Sequence, residues 1–289
     1  MNLKGVSAII TGASQGLGAA MAEAFVAEGA SVVLCARTTS AVDKICDDLS
    51  RNLIAGQQVH ARTCDIGTPE QIDALLTDAL EIHPDLGVLV NNAGVYGPMG
   101  NIETVDWNEW VQAINVNLLG TIYFCRAVMP HFRKRGRGKI INLSGGGATA
   151  PLPGISSYAV SKVGVVRFTE TLHEEAKNAG IDVNAIAPGL LATQLLDQAI
   201  AAGPAKIGGK FYQQMIEARS KGGTPLNIAA ALGVWLASSA SDGISGKLLS
   251  AVWDPWRDLP KHLSELEGSD IYTLRRIVPK DRGKGWGDI

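Results

Sequence analysis

The chain has 289 residues, of which 46% are hydrophobic and 19% are charged. This composition predicts a folded globular protein and argues against a disordered or fibrous chain. The formal net charge of −2 provides no global basic field for binding nucleic acid or an anionic membrane surface. No apolar run is long enough to cross a bilayer. We therefore expect neither nucleic acid nor a membrane as a partner.

The predicted elements alternate between short apolar strands and longer amphipathic helices. Strands are predicted over 6–10, 31–36, 58–64, 86–90, 139–143, 182–187 and 247–252. Helices are predicted over 16–28, 42–51, 71–82, 107–135, 156–179 and 227–238. Strands that are apolar on both faces are typical of a parallel sheet covered by helices on each side. The expected fold class is α/β, a doubly wound parallel sheet of the Rossmann type in a single domain.

The alternation stops after Pro188. Residues 194–222 contain helix-like pieces interrupted by glycines, which predicts an excursion that covers the substrate. We expect the catalytic domain to span 1–252 and a C-terminal extension to span 253–289. The extension is basic and carries three tryptophans, so it either stacks on a flat or sugar-like ligand or packs on its own body or a neighbouring subunit. Its apolar side chains predict that it is ordered.

Cysteine and histidine usage predicts no metal site. The four cysteines form no CxxC pair, and the five histidines lack the spacing of metal ligands. We interpret the cysteines as reduced and mainly buried, which favours a cytoplasmic protein. The first residues run directly into a strand-like segment, with no signal peptide ahead of it.

A glycine-rich turn, Thr11-Gly12-Ala13-Ser14-Gln15-Gly16-Leu17-Gly18, lies between the first strand and the first helix. Glycines there allow a tight turn and a close approach of the backbone to a pyrophosphate, which the helix N-terminus then faces. Such a turn alone is compatible with either a dinucleotide site or a purely structural role.

Three further motifs follow in order: Asn91-Asn92-Ala93-Gly94, Tyr158-Ala159-Val160-Ser161-Lys162, and Pro188-Gly189 with Thr193. Together with the TGxxxGxG turn, they cover residues 1–250, and the chain resembles the short-chain dehydrogenases/reductases. The resemblance implies a nicotinamide-dependent oxidoreductase that interconverts a carbonyl and a secondary alcohol by hydride transfer.

Tyr158 and Lys162 are four residues apart on a predicted helix and therefore share a face. A tyrosine that acts as general acid or base needs a nearby cation to lower its pKa, and Lys162 is the candidate. The resemblance implies that Lys162 also hydrogen-bonds the nicotinamide ribose, and that Asn117 holds a water for proton relay.

The serine position departs from the family pattern. The family places the serine that polarises the substrate thirteen residues before the tyrosine, and that position is Gly145. The adjacent Ser144 takes the role if the strand ends before it and the glycines at 145–147 adopt a conformation that only glycine takes cheaply. The alternative is that the hydroxyl is missing.

For the adenosine half of the cofactor, Arg37 follows the second strand and Ala36 stands where NAD users commonly carry an aspartate. This pair favours NADP(H), with NAD(H) as the alternative, and Asp65 is expected to face the adenine. The resemblance implies that the cofactor is bound by Gly12, Ser14, Gln15, Gly16, Leu17, Gly18, Arg37, Asp65, Ile66, Asn91, Ala93, Gly94, Tyr158, Lys162, Pro188, Gly189, Leu191 and Thr193.

Two other functions remain open from the sequence. One is a dinucleotide-binding sensor or scaffold that has lost turnover, which Gly145 at the serine position favours. The other is an epimerase or dehydratase acting on a nucleotide sugar. In either case the expected partners are a small-molecule substrate and other copies of the chain, as a dimer or tetramer.

Overall fold

In the computed structural model, which describes residues 1–286, a seven-stranded sheet forms the centre of the molecule. The strands are β1 (Ser7–Thr11), β2 (Ser31–Ala36), β3 (Val59–Thr63), β4 (Val88–Asn91), β5 (Gly138–Leu143), β6 (Ile181–Ala187) and β7 (Leu248–Ser250). Their order is β3-β2-β1-β4-β5-β6-β7, and all neighbouring pairs are parallel. The predicted doubly wound parallel sheet in a single domain is confirmed. The last three residues of the predicted extension lie outside the described residues.

Helices cover both faces of this sheet. They are α1 (Gly16–Ala27), α2 (Thr39–Ser50), α3 (Pro69–Ile82), α4 (Trp107–Ile114), α5 (Gly120–Arg135), α6 (Ser156–Ala176), α7 (Gln194–Ala202), α8 (Pro204–Ile207), α9 (Gly209–Lys221), α10 (Leu226–Ala237) and α11 (Leu263–Leu266). Successive strand residues point to opposite faces. Ile10 therefore packs in one apolar core with Phe25 of α1, while Ile9 packs in the other with Phe124 of α5.

The helical region predicted over 107–135 is interrupted by one π-helical turn, Asn115–Leu119, between α4 and α5. Such turns contain an extra residue and shift the side chains that follow. Here the turn buries Asn117 completely.

The excursion over 194–222 contains α7, α8 and α9. It packs through an apolar cluster in which Leu196, Ile207 and Met215 join Tyr96 and Ile155. The excursion therefore forms one wall beside the carboxyl ends of the strands.

The C-terminal extension packs on the body of the same chain. Trp256 is buried beside Trp235 of α10, with ring centroids 5.4 Å apart. The backbone N–H of Leu248 on β7 donates to the carbonyl of Tyr272. Glu170 of α6 accepts a hydrogen bond from the Leu274 N–H at 2.6 Å. Of the two interpretations of the extension, packing on its own body accounts for these contacts.

Neither a membrane-spanning helix nor a metal-binding cluster is present among residues 1–286. No helix there is long and apolar enough to span a membrane. No group of three side chains there is arranged to hold a metal ion.

Candidate active site

A cleft of about 1690 Å³ opens at the carboxyl ends of the strands, where β1 and β4 are neighbours. The chain runs from β1 towards one edge of the sheet and from β4 towards the other, so this is the topological switch point. Open α/β sheets bind their ligands in the crevice at this point. The glycine-rich turn after β1 and the Tyr158–Lys162 pair of α6 both line this cleft.

Two positions of the glycine-rich turn leave no space for a side chain. Gly12 has a φ of +64°, and a Cβ there would lie 2.7 Å from the Cα of Ala93. A Cβ on Gly18 would lie 2.2 Å from the carbonyl oxygen of Gly12. The first turn of α1 contains no acidic residue, and its N-cap, Gln15, makes no capping side-chain bond. The backbone N–H groups at this end of α1 therefore remain free to bind an anion, and a dinucleotide pyrophosphate fits the turn.

Thr11 and Asn92 hold the two sides of the turn together. The Thr11 hydroxyl oxygen accepts from the backbone N–H groups of Asn92 and Ala93 at 2.9 and 3.0 Å. The Asn92 amide donates to the carbonyls of Thr11 and Gly12. This clamp was not predicted from the sequence, although both residues lie within the motifs that carry the family resemblance.

The structure brings most of the predicted cofactor residues to this cleft. Three predicted site residues do not line it. Gly18 packs α1 against the turn, and Asn91 is buried within the sheet, where its amide donates to Asn142 Oδ1 at 2.9 Å. Asn117 is buried behind the loop that follows β4. Contact of Gly18 and Asn91 with the cofactor stays a prediction, since neither residue lines this cleft. The residues that do line the cleft are Gly12, Ser14, Gln15, Gly16, Leu17, Arg37, Asp65, Ile66, Ala93, Gly94, Tyr158, Lys162, Pro188, Gly189, Leu191 and Thr193.

Tyr158 and Lys162 lie one turn apart on α6, as expected. The Lys162 ammonium is 5.6 Å from the centroid of the Tyr158 ring. It donates a hydrogen bond of 2.7 Å to the backbone carbonyl of Leu143, at the end of β5. That bond fixes the buried ammonium between the strand and the ring.

Burial disfavours the charged forms of both groups. It lowers the pKa of Lys162 to about 8. It also raises the pKa of Tyr158 well above its usual range, and the neighbouring Tyr96 adds to this rise. Burial thus dominates the pKa of Tyr158 here, and a lowering of this pKa by Lys162 stays a prediction. Tyr158 is therefore a neutral phenol at physiological pH, which is the form that donates a proton.

Asn117 acts as a clamp between the loop after β4 and α6. Its Oδ1 accepts from the N–H of Val95 at 2.8 Å, and its amide donates to the Val95 carbonyl at 2.7 Å and to Ser161 Oγ at 3.1 Å. Protein groups therefore occupy the side chain, which positions the loop. A water-holding role for this side chain stays a prediction.

The hydroxyl of Ser144 does not meet Tyr158. It is buried and directed at the backbone carbonyl of Lys162, 3.5 Å away. The expectation that it points towards the tyrosine hydroxyl is wrong, because the next residue faces the phenol. A Cβ built on Gly145 would lie 2.2 Å from Tyr158 Oη.

Space, rather than backbone conformation, requires glycine at positions 145 and 147. As predicted, β5 ends before Ser144. Gly145, however, is fully extended at φ −178° and ψ 179°, and the next residues form a short 3₁₀ turn, Gly146–Ala148. A Cβ on Gly147 would lie 2.6 Å from the Cα of Ala159. The prediction of a conformation reserved for glycine is therefore wrong, and close packing against α6 replaces it.

At the end of the cleft that follows β2, Arg37 is exposed and has no ion-pair partner among residues 1–286. Asp65 Oδ1 accepts from the Gly67 N–H at 2.9 Å. Gln15 Nε2 donates to Gln194 Oε1 at 2.6 Å and so joins the glycine-rich turn to the start of α7. Gln194 could not be found from the sequence, because the two glutamines are 179 positions apart.

Comparison with known proteins identifies the family. The family model "short chain dehydrogenase" matches residues 7–202. The chain belongs to the short-chain dehydrogenase family. It is 35% identical over 255 residues to 3beta-hydroxysteroid dehydrogenase 1 of Eggerthella lenta, which covers 86% of this chain and 92% of that protein. It is 33% identical over 251 residues to glucose 1-dehydrogenase 2 of Bacillus subtilis, covering 86% and 93%.

A solved structure agrees with this assignment. Gluconate 5-dehydrogenase from Burkholderia cenocepacia, in complex with NADP and tartrate, superposes with a TM-score of 0.75 at 26% identity. The alignment covers 86% of this chain and 94% of that one. This short-chain dehydrogenase is therefore an NAD(P)-dependent oxidoreductase that interconverts carbonyl and alcohol groups of small molecules.

Proposed function

We propose that this short-chain dehydrogenase reduces the carbonyl group of a small molecule with NADPH, with Tyr158 as the proton donor. The observation that carries the proposal is the half-buried Tyr158 phenol beside the Lys162 ammonium, in the cleft that the glycine-rich turn also lines. When bound, the reduced nicotinamide supplies the hydride. The protein supplies the proton and the positions of the reacting groups.

Tyr158 donates its proton to the carbonyl oxygen as the carbonyl carbon is reduced. The phenolate that remains is stabilised by the Lys162 ammonium, which the Leu143 carbonyl holds close to the ring. Lys162 is further proposed to hydrogen-bond the nicotinamide ribose. Asn117 keeps the loop after β4 in position against α6 through Val95 and Ser161.

The residues proposed to hold the cofactor fall into two groups. The free N–H groups at the start of α1 face the pyrophosphate, next to Gly12 and Gly16. Pro188, Gly189 and Thr193 line the nicotinamide side of the cleft.

The preference for NADP(H) rests on the residues after β2. Arg37 is exposed on the cleft wall and free to pair with a 2′-phosphate, while the side chain of Ala36 offers no acceptor to a ribose 2′-hydroxyl. A guanidinium matches phosphate geometry through paired hydrogen bonds.

We further propose a homo-oligomer and a cytoplasmic location. Leu119, Val160 and Val163 are 51%, 47% and 38% exposed on neighbouring parts of α6 and the π-helical turn. Large apolar side chains grouped in this way favour contact with a second copy. All four cysteines are free thiols, which fits a reducing compartment.

The test is turnover of a carbonyl panel, followed by absorbance at the nicotinamide band. The wall formed by α7 and α9 is apolar around Leu196 and Met215, so the panel should include alicyclic and aromatic ketones and quinones as well as sugars. We expect NADPH oxidation with at least one carbonyl. Binding of NADPH without turnover of any compound would instead support the sensor function.

A further inference from the structure

In the proposed reduction, the substrate carbonyl oxygen lacks one of the two side-chain hydrogen-bond donors that the family pattern provides. In this family a serine at the position of Gly145 would hold that oxygen together with the tyrosine. Gly145 has no side chain, and the hydroxyl of Ser144 is directed at the Lys162 carbonyl. Neither residue therefore directs a side-chain donor at the oxygen, which leaves the hydroxyl of Tyr158.

A second tyrosine lies against Tyr158 in the same cleft. Tyr96 follows β4, and its ring packs edge-on against the Tyr158 ring, with centroids 4.8 Å apart and planes 70° apart. The side chain is held in the apolar cluster that contains Ile155 and Leu196. Its backbone carbonyl accepts from the Ser157 hydroxyl at 3.2 Å. The ring position is therefore fixed from both α6 and α7.

The Tyr96 hydroxyl is available to a ligand. None of the hydrogen bonds among residues 1–286 uses it, although buried tyrosines usually find a partner for this group. It is not among the buried polar atoms that lack a partner, so it keeps contact with open space. Tyr96 is one of the residues that line the cleft.

We propose that Tyr96 donates the second hydrogen bond to the substrate carbonyl oxygen, in place of the hydroxyl that Gly145 lacks. This rests on the proposed carbonyl reduction. The nicotinamide hydride goes to the carbonyl carbon and the Tyr158 proton goes to the oxygen, so the product is the alcohol. Tyr96 keeps its own proton throughout and stabilises the negative charge that develops on the oxygen.

The surroundings of Tyr96 suit a donor that stays protonated. Burial raises its pKa to about 12, so the phenol is neutral over the working range of pH. A neutral phenol beside an oxyanion donates without competing for the proton that Tyr158 transfers. Removing only the hydroxyl should therefore weaken the transition state and leave the apolar packing in place.

The test compares Tyr96→Phe with Tyr212→Phe, using phenanthrenequinone and each carbonyl that the unaltered protein reduces. Tyr212 belongs to the same apolar cluster but does not line the cleft, so it controls for loss of a hydroxyl there. We expect Tyr96→Phe to lower kcat by about 10- to 1000-fold, as loss of one oxyanion donor does. The Kd for NADPH and the melting temperature should change little in both variants, and Tyr212→Phe should keep its kcat.

Two outcomes would overturn the inference and leave the proposed function standing. One is an unchanged kcat in Tyr96→Phe while Tyr158→Phe is inactive. The other is a rise in KM alone, which would show that the hydroxyl binds substrate and transition state equally. Failure of the unaltered protein to reduce any carbonyl, or full activity in Tyr158→Phe, would remove the proposed function and this inference with it.

Discussion

The hydroxyl of Tyr158 occupies the space that a side chain on Gly145 would need. A Cβ at position 145 would come within 2.2 Å of Tyr158 Oη, and real Cβ atoms do not approach that closely. The glycine at the family's serine position is therefore matched to the position of the tyrosine. A side chain at position 145 would therefore displace the tyrosine hydroxyl.

We predict that Gly145→Ala lowers kcat by at least about 10-fold, because the methyl group must displace the tyrosine, and a misplacement of about 1 Å can reduce the rate about 100-fold. Overpacking should also destabilise the fold by about 1–3 kcal/mol. Gly146→Ala is the matched control, since a Cβ there meets nothing within 4 Å. Kinetics and urea unfolding measure both effects, and equal activity in the two variants would show that Tyr158 tolerates a side chain at 145.

The extension should contribute to stability through one of its tryptophans. We predict that Trp256→Ala lowers the free energy of unfolding by about 3–5 kcal/mol, because the ring is buried against Trp235 and truncation leaves a cavity. Trp253 is 77% exposed, so Trp253→Ala should leave stability nearly unchanged. Denaturant unfolding distinguishes the two. A small effect of Trp256→Ala would mean that the extension does not stabilise the core.

The cofactor preference should depend on two neighbouring residues. We predict that NADP(H) binds more tightly than NAD(H), and that combining Ala36→Asp with Arg37→Gln reverses the order. The aspartate would accept from a ribose 2′-hydroxyl and repel a 2′-phosphate. Kd values for both cofactors measure this, with Arg51→Gln, directly after α2, as a control outside the cleft. Equal affinities in the unaltered protein would refute the preference.

Stability should depend on pH through Lys162, whose pKa burial lowers to about 8. Below that pH, both the folded and the unfolded states carry the proton. A lysine in the unfolded chain has a pKa of about 10.4. Between about pH 8 and this value, the unfolded state binds more protons than the folded state, so the free energy of unfolding rises with pH.

The control is Lys162→Met, which lacks the titrating group. The unfolding free energy of the unaltered protein, minus that of Lys162→Met, should rise by up to about 1.4 kcal/mol per pH unit between about pH 8 and 10. Urea unfolding at several pH values tests this. A constant difference would show that Lys162 titrates normally in the folded protein.

The sheet and the catalytic pair could be predicted from the sequence because both depend on local patterns. Apolar strands such as β2 fix the parallel sheet, and a spacing of four places Tyr158 and Lys162 on one helix face. Ser144 could not be placed, because the direction of its hydroxyl depends on how β5 ends against α6. Tyr96 gave no signal, since its position beside Tyr158 results from the path of a loop. Whether the pKa of Tyr158 is raised or lowered depends on its burial, which the spacing of residues in the sequence does not reveal.

The measurement that tests the account most directly is the kinetics and cofactor binding of Tyr158→Phe. The ring and its packing against Tyr96 remain, and only the proton-donating hydroxyl is lost. The account predicts a Kd for NADPH close to that of the unaltered protein and a kcat lower by about 100- to 10,000-fold, the range of general acid catalysis. Retention of most of kcat by Tyr158→Phe would contradict it, because the proton would then come from another group.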